Sequence, residues 1–69
     1  MIEVFKTNVR NIRKAKLVIQ KLAEKCPAHK INFDLNDCDK ILRVQGKNIL
    51  QKQIINVVTA LNCQCEILE

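Results

Sequence analysis

The sequence predicts a single α+β domain, residues 1–69, built as a four-stranded antiparallel sheet with two helices on one face. Three observations predict it. First, a pattern recurs forty residues apart: Val4, Asn8 and Val9 open one apolar-periodic segment, and Val44, Asn48 and Ile49 hold the equivalent places in another. Each copy reads as strand, capped turn, amphipathic helix and returning strand, which gives the order βαββαβ of the double split-βαβ, or ferredoxin-like, arrangement. Second, Ile31, Phe33 and Leu35 alternate with Lys30, Asn32 and Asp34, the period of a half-buried strand. Third, the chain holds one Gly and one Pro in 69 residues, so little of it is left for loops.

The elements follow in order. In the first strand Ile2 and Val4 alternate with Glu3, and Phe5 beside them leaves the phase of the strand open. Asn8 is the expected N-cap, because its side-chain oxygen can accept from the first unpaired helix amides. The first helix is then expected over about residues 9–25. At about 100° per residue, Ile12, Ala15, Val18, Ile19, Leu22, Ala23 and Cys26 fall on one arc facing the sheet. Arg10, Arg13, Lys14, Leu17, Lys21, Glu24 and Lys25 share the opposite face, and Pro27 stops the helix. After the second strand, Asn36 to Asp39 turn the chain, and Leu42 and Val44 face inward from the third strand with Arg43 outward. Asn48 followed by Gln51 resembles a capping box. The second helix is expected to bury Leu50, Ile54, Val57, Val58 and Leu61 and to end at Asn62. Cys63, Cys65 and Ile67 alternate with Gln64 and Glu66 in a short last strand.

Composition narrows the functional classes. A hydrophobic share of 48% with 28% charged residues is that of a globular domain, and 3% aromatics means an aliphatic core. A chain of this size buries only about 60% of the surface its unfolded form exposes. No apolar run of about 20 residues suggests a membrane span, and Met1 leads into the first strand without a basic-then-apolar leader, so the expected compartment is the cytoplasm. In that compartment the four cysteines are expected as reduced thiols. Charge is uneven: residues 1–30 carry eight Lys or Arg against two Glu, a net of +6, whereas residues 31–69 carry four basic and five acidic side chains, a net of −1. One side of the molecule is expected to be basic.

In element order, in element lengths and in the Leu61-Asn62 turn before the last strand, the chain resembles the heavy-metal-associated domain family of small copper-chaperone-like proteins. The family's Met-x-Cys-x-x-Cys motif is not present. Matching the first helices by their apolar positions places Val9 at the family's Met, Asn11 at its first Cys and Lys14 at its second. An amide and a cation thus replace two thiolates, and a protonated lysine is no ligand. The resemblance therefore implies the fold and a degenerate metal loop, with Cys63 in the neighbouring loop, near Asn11.

The remaining chemistry-bearing residues are weighed one at a time. Cys63 and Cys65 lie on one side of a strand, with α-carbons about 6.5 Å apart, a spacing that lets two sulfurs reach one soft ion such as Cu(I) or Zn²⁺. The competing reading, that both pack inward as small hydrophobes, is favoured because unbridged Cys is among the most buried residue types. Cys26 is expected in the core and Cys38 in an exposed turn. Asp34, Asn36, Asp37 and Asp39 lack the glycine and the bidentate glutamate of a calcium loop and read as a solvated turn. His29 stands without a ligand-spaced partner and is expected at the surface. No nucleophile elbow, phosphate-cradling loop or carboxylate pair is found, which argues against an enzyme.

The basic first helix is the other signal. Arg10, Arg13, Lys14 and Lys21 surround Leu17, and an apolar residue ringed by cations has the form of a docking site for an acidic protein partner. Nucleic-acid binding is disfavoured, because sheet-based RNA readers need stacking aromatics and only Phe5 and Phe33 exist. The expectation is a small non-catalytic interaction module, with soft-metal binding at Cys63 and Cys65 as the alternative.

Overall fold

The computed structural model describes residues 1–35 and 40–68. Its elements are β1 (Ile2–Thr7), α1 (Ile12–Lys25), β2 (Lys30–Asp34), β3 (Ile41–Gln45), α2 (Gln51–Ala60) and β4 (Cys65–Ile67). They form one antiparallel sheet in the order β2-β3-β1-β4. The βαββαβ order and the pairing of β2 with β3 are as the sequence predicts. The turn expected at Asn36 to Asp39, with Cys38 in it, lies outside the described residues.

Phe33, Leu42, Phe5 and Ile67 stand opposite one another across the four strands and therefore share a face. Phe5, Leu42 and Val44 are fully buried there, packed with Val18 and Leu22 of α1 and Ile54 and Val58 of α2. Both helices cover that face. This settles the phase of β1, which the sequence leaves open: Phe5 and Thr7 point to the helices, and Ile2, at 58% exposure, lies on the open face with Val4 and Arg43. The core aromatic is Phe5, since Phe33 is only half-buried. Ile41 is also buried, but on the open face and apart from the main core.

Both helix starts fall later than expected. Asn11, not Asn8, caps α1, its Oδ1 accepting from the Lys14 amide at 2.9 Å. The later start leaves Ile12 64% exposed, and Ala23 is exposed too. The buried stripe is Ala15, Val18, Leu22 and Cys26, with Ile19 and Lys14 on its half-buried flanks. The expected capping box of α2 does not form. Asn48 takes a left-handed conformation (φ 55°), Leu50 occupies the cap position without a side-chain bond and is 63% exposed, and Gln51 donates instead to the Glu3 carboxylate at 2.8 Å.

The end of α2 is as expected. Asn62 adopts φ 63°, its amide donates to Thr59 O at 3.0 Å, and the Cys63 amide donates to Val58 O at 3.4 Å. This paired arrangement satisfies two orphan carbonyls of the last turn. α1 ends differently: the Cys26 amide makes a last i→i−4 bond to Leu22 O at 2.7 Å, and Pro27 follows without a left-handed residue.

Candidate functional site

The loop from β1 into α1 is occupied with holding the fold together. Thr7 Oγ1 donates to Lys40 O at 2.7 Å and accepts from the Val9 amide at 3.2 Å. Asn8 Oδ1 accepts from the Gln64 amide at 2.8 Å, which ties this loop to the approach of β4. Val9 is buried in the core, and Asn11 is committed to its cap. Every polar side chain between Thr7 and Asn11 except Arg10 therefore has a backbone partner, and that cation remains exposed.

The outer face of α1 carries Arg13, Lys16, Gln20, Lys21 and Glu24, all exposed, with Arg10 just ahead of the helix. Lys21 and Glu24 approach at 3.7 Å, an exposed i,i+3 pair of small energetic value. Of the predicted docking residues, Arg10, Arg13 and Lys21 are exposed as expected. Lys14 and Leu17 are half-buried: Lys14 flanks the buried stripe, whereas Leu17 lies on the outer side of the helix but is only partly exposed there. The exposed large apolar residue of α1 is Ile12, one residue before Arg13 and four before Lys16; it stands at the β2-facing edge of the helix, where it and Lys16 line a groove with Phe33 and Leu35. The sequence reading missed Ile12 and Lys16 because it placed Ile12 on the buried arc; an arc centred on Ala15, Val18 and Leu22 leaves Ile12 at its edge and turns Lys16 outward.

The cysteines are less suited to metal than their spacing suggests. Cys63 is buried, with its Sγ 3.6 Å from Leu61 O, and precedes the strand rather than lying in it. Cys65 is half-buried, and its pKa is pushed up to about 11 by burial first, then by the neighbouring Cys63 and Glu66. Soft metals bind the thiolate, which this environment opposes. Both sulfur-bearing residues do line one shallow depression, with Thr59, Gln64 and Glu66. Among the described residues no three His, Cys, Asp or Glu side chains converge. Cys26 packs in the core, its Sγ 3.7 Å from Gln53 Oε1 of α2.

His29 is not the surface residue expected. It is half-buried, its Nε2–H donates to Lys47 O at 2.8 Å, and its Nδ1 is buried without a protein partner. The ring lies against Gly46, so it fastens the α1–β2 connection to the β3–α2 connection. Its role is to join two loops.

Phe5 and Phe33, the only aromatic residues, both belong to the helix-covered face, so the open face offers no aromatic platform for bases. No helix is long and apolar enough to cross a membrane among the described residues. Comparison with protein families, with curated proteins and with solved structures finds no match.

Proposed function

We propose that this chain is a small, cytosolic, non-catalytic protein-interaction module of heavy-metal-associated type with a degenerate metal loop, docking an acidic partner through Ile12 and the exposed cations of α1. The observation that carries this reading is Ile12, 64% exposed beside the exposed Arg13 and Lys16. Cations around an exposed apolar side chain supply steering and an anchor at one place. A soft-metal role for Cys63 and Cys65 is the weaker reading, because the raised Cys65 pKa opposes the thiolate.

The reading is tested by titrating the labelled protein with a peptide of alternating Glu and Leu and following backbone amide shifts. Shifts are expected to concentrate at residues 10–21 and to be abolished by a combined Arg13→Glu, Lys16→Glu change. The Ile12→Ala variant should bind more weakly with little dependence on salt, whereas the charge contribution should fade as the screening length falls from about 10 Å at 0.1 M to about 3 Å at 1 M. Equal binding by all variants would remove α1 as the docking face.

A further inference from the structure

The sheet has two edges of unequal length. β4 contributes three residues, a short and therefore protected edge, whereas β2 contributes the five residues Lys30–Asp34. The direction of the β2 backbone groups follows from the ladder. The Gly46 amide donates to Met1 O at 2.9 Å, so Gly46 and, by alternation, Val44 and Leu42 turn their amides toward β1. Gln45, Arg43 and Ile41 then turn toward β2, where they face Lys30, Asn32 and Asp34. The amides and carbonyls of Ile31 and Phe33 consequently point out of the sheet edge.

Read about Asn32, the strand is complementary to its own reverse. In an antiparallel pairing of two copies with Asn32 at the centre, Lys30 of each stands opposite Asp34 of the other, and Ile31 opposite Phe33. We propose that β2 is a self-association edge: a second copy of this chain adds its own β2 about a two-fold axis at Asn32, giving a continuous eight-stranded sheet. Such an interface is isologous and closed, so it stops at the dimer.

The hydrogen-bond phase agrees with this register. The outward groups belong to Ile31 and Phe33, which would face Phe33 and Ile31 of the second copy and exchange both bonds of each pair. The side-chain phase agrees as well. Ile31 and Phe33 lie on the helix side, where a groove between α1 and β2 has an apolar floor of Ile12, Ala15, Ile19, Phe33 and Leu35 bordered by Lys16, Asn32, Asp34 and Arg43, so across the axis Ile31 meets Phe33 within a polar border. Lys30 and Asp34 lie on the open side, where opposite charges meet across the strands. A strand from another protein would need this charge order supplied by chance; a second copy always supplies it.

Sedimentation across a micromolar-to-millimolar concentration series tests the proposal, with circular dichroism confirming that each variant is folded. The parent chain is expected to pass from monomer to dimer. Lys30→Asp or Asp34→Lys alone turns two attractive pairs into two repulsive ones and should weaken the dimer about tenfold or more. Mixing the two single variants restores every pair and should give a heterodimer, and the doubly exchanged chain should dimerise as the parent does. Hydrogen exchange on the unmodified chain gives an independent reading: the Ile31 and Phe33 amides should be protected at high concentration and exchange rapidly on dilution. A chain that stays monomeric at millimolar concentration, a dimer indifferent to both single changes, or folded single variants that do not associate on mixing would each overturn it. A monomeric result would identify Lys30 instead as a guard against edge pairing.

Discussion

Replacing Gly46 by Ala is expected to destabilise the domain by about 3 kcal/mol, and nearly all of that through His29. A Cβ on Gly46 would overlap His29 Cδ2 and lie 3.1 Å from both Cγ and Nε2. The ring cannot simply swing aside, because Nε2 is held by Lys47 O at 2.8 Å and Nδ1 is buried. Accommodating the methyl group costs about 1–3 kcal/mol of overpacking and about 0.5–1.5 kcal/mol for the strained or lost hydrogen bond. Against a total stability of about 3–10 kcal/mol for a chain of this length, that is a large fraction. It would lower the melting temperature by roughly 10–25 °C. The backbone itself raises no objection, since Gly46 does not have a positive φ. In a His29→Ala background the same change should therefore stabilise by about 0.4–1 kcal/mol, through the reduced freedom of the unfolded chain. Urea unfolding of the four proteins in the cycle should give a coupling of about 3.5–4 kcal/mol between the two positions. If Gly46→Ala alone stays within about 0.5 kcal/mol of the parent, or costs the same with and without the histidine, the account of this contact is wrong.

Phe5→Ala should cost about 3–5 kcal/mol and leave a largely unfolded chain, whereas Phe33→Ala, removing a half-buried ring, should cost clearly less; urea midpoints compare them. Stability should fall as pH rises from 9.0 to about 11, because in that window the unfolded chain loses the Cys65 proton and the folded one keeps it, and Cys65→Ser should flatten the slope of thermal stability against pH. Asn62→Gly should stabilise and Asn62→Val destabilise, each on the order of 1 kcal/mol in denaturant melts, since the position requires φ 63°.

Where periodicity ran cleanly and both sides of an element carried different chemistry, the sequence alone was enough. Ile31 and Phe33 against Asn32, Leu42 and Val44 against Arg43, and the stops at Pro27 and Asn62 all fall where local pattern and turn chemistry place them. The order of six elements then leaves few ways to bury two apolar helix stripes on one sheet. Tertiary structure decided the points at which two local readings were equally good. Ile2-Val4 and Phe5-Thr7 are both acceptable inner faces for β1, and the full burial of Phe5 between Leu42 and the helices settles which is used. Asn8 and Asn11 are both good caps; the Gln64 amide, 56 positions away, claims Asn8 and moves the helix start, and with it the exposure of Ile12. His29 has no partner in sequence and finds one in Lys47, across a different connection. The self-complementary order of Lys30 to Asp34 is legible in the sequence, but only the strand order puts it at an edge, where unpaired backbone groups give such a pattern something to bind. Local physics sets what each segment can be, and long-range contacts, which no local pattern encodes, choose among segments that can be more than one thing.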